Sequence, residues 1–285
     1  MPVCAVILAA GLGRRLRPLT DAVPKALCPV GNVPLLDRAL DRVAGLGLRG
    51  PADVAVNASY LAGQVVAHVG DRAHLSVEPG GPLGTAGALG QLRDWIAGRG
   101  VLVGNADAYL AGSVAPGADI AELLTGWDGE SVRMLGTAAP PGGRGEFGMW
   151  NFAGFSLLPW RLVKELPARP ADLISAVWRP AEAAGRLEVI RYLGRYLDTG
   201  TPDSYLEANL RAAYACGGVL VAPDATVTGP LDLAVVGAGA RVHGAVTRAV
   251  VWPGGSVAPG EHLVEVVRVG ADVTVPSPWP MPPIA

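Results

Sequence analysis

The sequence predicts an α/β fold over residues 1–215, three layers (α/β/α) built around a mostly parallel sheet. A short parallel β-helix over residues 216–275 and a proline-rich tail over 276–285 complete the expected organisation. Three observations carry this. Short β-branched runs alternate with amphipathic helical spacing up to about residue 210. The first run breaks into a glycine turn followed at once by arginines. After residue 215 helical periodicity stops, and valine with small residues recurs at six-residue intervals.

Residues 3–9 are wholly apolar, as a strand buried on both faces requires. Residues 35–43 place apolar side chains at helical spacing, 53–57 read as a second strand and 60–69 as a helix. A third strand is expected over 74–77, one helix over 85–97 with Thr85 as its cap, and a strand over 101–105. Residues 138–145, rich in glycine and proline, form a loop long enough to belong to a site.

Beyond residue 215, Val221, Val227, Val236, Val242, Val251 and Val257 head six-residue units. This spacing resembles the hexapeptide repeat of left-handed parallel β-helices, with three or four coils and a slip of register near 231–235. Open coil ends, with aliphatic positions such as Leu231, Leu233 and Val250, lead to the expectation of a homo-oligomer formed through this C-terminal domain.

Half of the 285 residues are hydrophobic, 17% are charged and the formal net charge is −2. Such a balance gives no general attraction to nucleic acid or to an anionic membrane, so neither is an expected partner. Phosphate binding must come from a local basic cluster. The apolar run precedes the first arginines instead of following a basic region, and no apolar stretch is long enough to span a bilayer. Cys4, Cys28 and Cys216 lack metal-ligand spacing and read as small buried hydrophobes of a reducing compartment. A cytoplasmic location is the expectation.

Chemistry concentrates in four strings. In the first, Leu8-Ala9-Ala10-Gly11-Leu12-Gly13-Arg14-Arg15-Leu16, glycines let backbone N–H groups face an anion while Arg14, Arg15, Arg17 and then Lys25 supply charge. No Gly-Lys-Ser/Thr closes this turn and no third glycine opens a helix, which excludes the P-loop and the dinucleotide fingerprint. The chain has 21 arginines and two lysines, Lys25 and Lys164, so a lysine inside the string is not compositional drift. An ammonium is a compact charge that can move between phosphates, unlike the planar guanidinium fork. Pro82-Leu83-Gly84-Thr85-Ala86-Gly87 forms the second string, with Gly84 admitting a flat base or ribose. The third ends at Asp107, just beyond a strand, and the fourth runs Asp198-Thr199-Gly200-Thr201-Pro202. His68, His74, His243 and His262 are scattered, so no covalent nucleophile is indicated.

Together these strings resemble the signature of the sugar-1-phosphate nucleotidyltransferases, with Arg14 in place of the usual Thr, Ala106 for a Gly and Tyr196 for a Trp. The resemblance implies a Rossmann-like nucleotidyltransferase domain that joins an NTP and a sugar 1-phosphate into NDP-sugar and pyrophosphate with Mg²⁺. It implies catalytic roles for Arg15 and Lys25, and nucleotide contacts from Leu8, Ala9, Ala10, Gly11, Gly13, Arg14, Gly84 and Thr85. Asp107 and Asp198 would hold the metal. Where many relatives carry Glu-Lys-Pro, this chain offers Arg144, Glu146, Asn151 and Gly154, so Glu146, Asn151 and Gly154 are the expected sugar contacts. The second string is most similar to mannose-1-phosphate guanylyltransferases, and Phe152-Ala-Gly-Phe-Ser156 is similar also to N-acetylmuramic-acid-1-phosphate uridylyltransferases. The same strings are compatible with a thymidylyl- or uridylyltransferase acting on glucose 1-phosphate and, in a different class, with a non-catalytic homologue that binds NDP-sugar.

Overall fold

Apolar residues open the chain, and Val3–Leu8 (β1) lies at the centre of a seven-stranded sheet. The structure is a computed structural model that describes residues 2–112, 114–277 and 284. By contact it divides into two units, one of Met1–Leu12, Pro24–Ala26 and Leu36–Tyr196, the other of Gly13–Val23, Leu27–Leu35 and Leu197–Ala285. Texture divides the sequence near residue 215; contact instead groups residues 13–23 and 27–35 with the C-terminal part. Residues 278–283 and 285 of the expected tail lie outside the described residues.

In the first unit three further parallel strands follow β1 in the chain: Val54–Ala58 (β2), His74–Val77 (β3) and Gly100–Asn105 (β4). Strands β2 and β4 flank β1, and β3 lies beside β2. Trp150–Leu158 runs antiparallel between β4 and Val132–Ala138, and Leu187–Arg191 closes that side in parallel with Val132–Ala138. The sheet is therefore mostly parallel, as expected. Leu35–Gly45 and Ala62–Val69 form helices close to the expected bounds. The helix expected over 85–97 is two, Gly84–Gln91 and Arg93–Ile96, because Leu92 leaves helical geometry at ψ 5°. Helix and sheet meet in a core of Val6, Leu89, Ile96, Val103, Met134 and Trp178.

Within the second unit, three parallel sheets stack into a β-helix-like array. Val219–Val221, Ala234–Val236, Val250–Val251 and Val266–Val269 form one side, and Val273–Pro276 closes it antiparallel. Thr226 pairs with Arg241 and Arg241 with Ser256, a step of fifteen residues; Val246 to Leu263 on the third side is seventeen. Three hexapeptides would take eighteen, so the expected hexapeptide repeat is corrected. Six-residue spacing survives between the first and second sides, as from Val236 to Val242, and reaches the third side only in the last coil, from Val257 to Leu263. The third corner is a single residue in the left-handed region: Leu233 (φ 45°), Arg248 (φ 50°) and Glu265 (φ 51°). These corners explain the slip near 231–235, and Arg248 Nε bonds Glu265 Oε1 at 2.9 Å across successive coils. Val236, Val242, Val246, Val251 and Leu263 fill the axis.

Two details differ from expectation. Val250 is buried, so it is no outward subunit face; Val221, Val264 and Val273 are the exposed aliphatic residues here. Cys216 is exposed, whereas Cys4 and Cys28 are buried, and burial pushes the Cys4 thiol up to about 11. No helix among the described residues is long and apolar enough to cross a membrane.

Gly244 shows how tightly the coils stack, since a Cβ there would stand 2.5 Å from the Ala258 carbonyl oxygen. Gly244→Ala is expected to lower the unfolding free energy of this unit by about 1–3 kcal/mol. Urea denaturation followed by circular dichroism checks it, and an unchanged midpoint would mean the coils part at no cost.

Candidate functional site

After β1 the chain moves outward through β2 to β3, then returns to the opposite side of β1 as β4. That reversal leaves the carboxyl ends of β1 and β4 uncovered, the place where open α/β sheets take ligands. A cleft of about 200 Å³ opens there, lined by Leu8, Ala10, Gly11, Asn57, Pro82, Gly84, Thr85, Asn105 and Asp107. A smaller recess beside it is bounded by Leu8, Ala9, Gly11, Lys25, Ala26, Ala106 and Asp107. Five of the residues expected to contact nucleotide (Leu8, Ala10, Gly11, Gly84 and Thr85) thus share the cleft with the metal candidate Asp107, and the recess adds Ala9 and Lys25.

Gly11 is the most informative of them. Its φ lies outside the left-handed region, and no described atom comes within 4 Å of where a Cβ would stand. Neither backbone conformation nor packing within the described chain therefore requires glycine, and the space over it is open to a ligand. Gly84 differs: its φ is +71°, and a Cβ would stand 2.5 Å from the Ala171 carbonyl oxygen. Ala86 and Gly87 N–H groups donate to that same oxygen. The glycines of Gly84–Gln91 thus admit the backbone of residues 167–171. Thr85 is no cap, because it lies inside the helix and its hydroxyl oxygen accepts the Leu173 N–H at 2.8 Å.

Two buried polar residues that the sequence did not single out for a role hold the cleft together. Asn57 Oδ1 accepts the Ala9 N–H at 2.7 Å, and Asn57 Nδ2 donates to Glu78 Oε1 at 2.8 Å. Glu78 Oε2 takes the Leu83 N–H at 2.7 Å, and its carbonyl takes the Ser59 hydroxyl. Each residue is only 2% exposed. The turn after β1 and the turn before Gly84 are therefore bound to one network. The available signal was a polar residue closing an apolar strand (Val54-Ala-Val-Asn57) and an acid directly after Val77.

Lys25 is 8% exposed, unlike exposed Lys164, and its ammonium lies 2.6 Å from Asp107 Oδ2. A cation removed from water requires a counter-charge, and Asp107 supplies it while facing the cleft. Ala106 has no positive φ, and its N–H donates to the Leu8 carbonyl, so replacing the usual glycine introduces no strain.

In the second unit, Gly13 (φ 61°) begins the turn Arg14–Leu16, and its carbonyl accepts the Thr20 hydroxyl at 2.8 Å. Leu16, Leu19 and Thr20 are buried, which leaves Arg14 and Arg15 exposed. Arg15 Nη2 lies 3.2 Å from Asp198 Oδ2, and a Cβ on Gly200 would stand 2.7 Å from Arg15 Nη2. Gly200, not singled out from sequence, makes room for this pair.

Glu146 and Asn151 brace a hairpin: Asn151 Oδ1 accepts the Glu146 N–H and Glu146 Oε2 the Phe152 N–H, both at 3.1 Å. Gly154 (φ 81°) is a strand residue packed against Ala108. These three expected sugar contacts are not part of the lining of the cleft described above.

The family model "Nucleotidyl transferase" matches residues 4–122, which span β1, the cleft and Asp107. Over this stretch the chain is similar to nucleotidyl transferase domains. Similar proteins act on sugar 1-phosphates by name. An N-acetylmuramate alpha-1-phosphate uridylyltransferase of Neisseria meningitidis is 28% identical over 73% of this chain and 97% of its own length. A mannose-1-phosphate guanylyltransferase of Mycobacterium tuberculosis is 34% identical over 43% of this chain and 33% of its own. A solved structure from Bacillus anthracis, described as a putative glucose-1-phosphate thymidylyltransferase, superposes with a TM-score of 0.62 over 74% of this chain and 95% of its own, at 21% identity; it shows the shared fold. The chain is thus similar to sugar-1-phosphate nucleotidyltransferases that differ in base and sugar.

For a nucleotidyl transferase domain the cleft supplies open backbone over Gly11, a buried ammonium and a facing carboxylate. No group of three or more His, Cys, Asp or Glu is gathered for a metal among the described residues. Mg²⁺ needs none, because one or two carboxylates with substrate phosphates and water fill its octahedron, and the oxygen of Asp107 fits that habit.

Glu78→Gln places an amide NH₂ where two donors now converge, leaving one buried N–H without an acceptor. Its unfolding free energy is expected to fall by about 1–3 kcal/mol in urea denaturation. An unaltered curve would show that the network does not hold the two turns.

Proposed function

We propose that this nucleotidyltransferase joins an NTP to a sugar 1-phosphate in the cleft at the carboxyl ends of β1 and β4. The open space over Gly11, beside the Lys25–Asp107 pair, is the observation that carries the proposal. The sugar phosphate oxygen attacks the α-phosphorus in line, and pyrophosphate leaves. Backbone N–H groups of residues 10 and 11 are the proposed phosphate donors of the cleft, and Arg14 and Arg15 are proposed phosphate contacts on the strength of their string. Lys25 passes from Asp107 to phosphate oxygens as charge builds on them. Asp107 would hold Mg²⁺, which when bound neutralises phosphate charge and orients the reacting oxygens. Asp198 has the same proposed role, supported by its string alone, and Arg15 would offset charge on the departing pyrophosphate. Glu146, Asn151 and Gly154 are the proposed sugar contacts.

Guanylyl transfer to mannose 1-phosphate is the first choice, supported by Pro82-Leu-Gly-Thr-Ala-Gly87, part of which lines the cleft. Uridylyl transfer to N-acetylmuramate 1-phosphate is the second. It is favoured by two uridylyltransferases that align over nearly their whole length, the Neisseria protein and one from Caulobacter vibrioides. Assembly through the second unit and a cytoplasmic location belong to the same proposal.

Pyrophosphate release measured across GTP, UTP, dTTP, ATP and CTP with each sugar phosphate tests it. One pair is expected to turn over only with a divalent metal, and Lys25→Ala to lower its kcat by about 10²–10³-fold with folding retained. No release from any pair would overturn the proposed reaction and favour a non-catalytic role in binding NDP-sugar.

A further inference from the structure

We propose that Trp252, Tyr205 and Asn209 are positioning residues through which the β-helix holds residues 13–23 and 27–35 in their working geometry. The inference rests on the proposed role of Arg14 and Arg15 in binding phosphates. All the groups concerned lie in the second unit.

The helix Pro202–Ala215 is the link. Its Tyr205 and Asn209 are fully buried and stand one turn apart on the same face. Burial holds the Tyr205 hydroxyl well above its ordinary range, so it keeps its proton. That proton goes to the Pro29 carbonyl, while the hydroxyl oxygen accepts the Trp252 indole N–H at 3.0 Å. Asn209 Oδ1 accepts the Gly31 N–H at 2.9 Å, and its Nδ2 donates to the Tyr205 carbonyl. Asn32 Nδ2 completes the clasp by donating to the Val236 carbonyl, in the same β-helix side as Val250–Val251. Gly31 (φ 57°) and Asn32 (φ 65°) are the two left-handed residues of the hairpin formed by Pro29–Val30 and Val33–Pro34.

At its other end the helix opens with a capping box between Thr201 and Ser204. Directly before it stand Asp198, whose carboxylate meets Arg15 at 3.2 Å, and Gly200, which leaves room for that pair. One helix, keyed to the third coil by Trp252, thus holds both the arginine turn and the hairpin that follows it in sequence. A tail serving only to pair subunits has no need of a buried hydrogen-bond chain ending on Pro29 and Gly31.

Hydrogen exchange by mass spectrometry on the full chain, without ligand, tests the coupling in Asn209→Ala and in the gentler Trp252→Phe, which keeps an aromatic ring. Exchange across residues 13–23 and 28–35 is expected to rise about tenfold in both. KM for the NTP should then rise about fivefold or more while kcat stays within about twofold. Wild-type exchange in those segments, or faster exchange with unchanged KM, overturns the inference. If the wild-type chain turns over no pair, the proposed reaction fails on its own. Calorimetry with magnesium pyrophosphate as probe then decides the coupling: weaker binding in both variants supports it, and equal or undetectable binding throughout overturns it.

Discussion

Everything at the candidate site depends on where the sheet reverses. Because the chain returns to the far side of β1, the ends of two neighbouring parallel strands are left without a covering crossover. Leu8, Ala10 and Gly11 emerge from one and Asn105 and Asp107 from the other, so the turn after β1 faces a carboxylate across an open cleft. The Asn57–Glu78 network is the corresponding constraint from below. It ties the Ala9 N–H and the Leu83 N–H to side chains that are nearly sealed from water, and so joins the turn after β1 to the turn before Gly84.

Charge in the two units is arranged for exchange of partners, and burial decides how readily each pair opens. The Arg15–Asp198 pair is exposed, with side chains 70% and 47% accessible, so it is worth about 0–1 kcal/mol and yields easily to a phosphate. Lys25 is enclosed and needs a counter-charge at all times. In the proposed reaction an arriving phosphate replaces Asp107 in that role and leaves the carboxylate to hold a cation.

The first four strands of the sheet, the helices Leu35–Gly45 and Ala62–Val69 and the order of the four strings were legible because they are written in local periodicity and short contiguous motifs. Val132–Ala138, Trp150–Leu158, Leu187–Arg191 and the helix Pro202–Ala215 were not read. Much of the rest depends on distant pairs. Asn57 and Glu78 are 21 residues apart and meet only once two strands are parallel. Gly84 read as room for a base, yet the Ala171 carbonyl occupies the position its side chain would take. Valine spacing of six was real between two sides of the β-helix and failed at the third, where Leu233, Arg248 and Glu265 turn the chain in one residue. The helix 85–97 read as continuous because the break at Leu92 leaves the apolar pattern intact. Likewise, the attachment of residues 27–35 to the C-terminal unit rests on Tyr205 and Asn209, whose partners lie more than 170 residues away.

The central claim is that the space over Gly11 is where a nucleotide lies. Calorimetric titration of magnesium GTP and magnesium UTP into the wild-type chain and Gly11→Val tests it most directly, because the side chain enters that space and no described atom lies within 4 Å of where its Cβ would stand. The account predicts that the valine variant melts with the wild type and loses about a hundredfold or more in affinity for whichever nucleotide the wild type binds. Equal affinity in both proteins would contradict it.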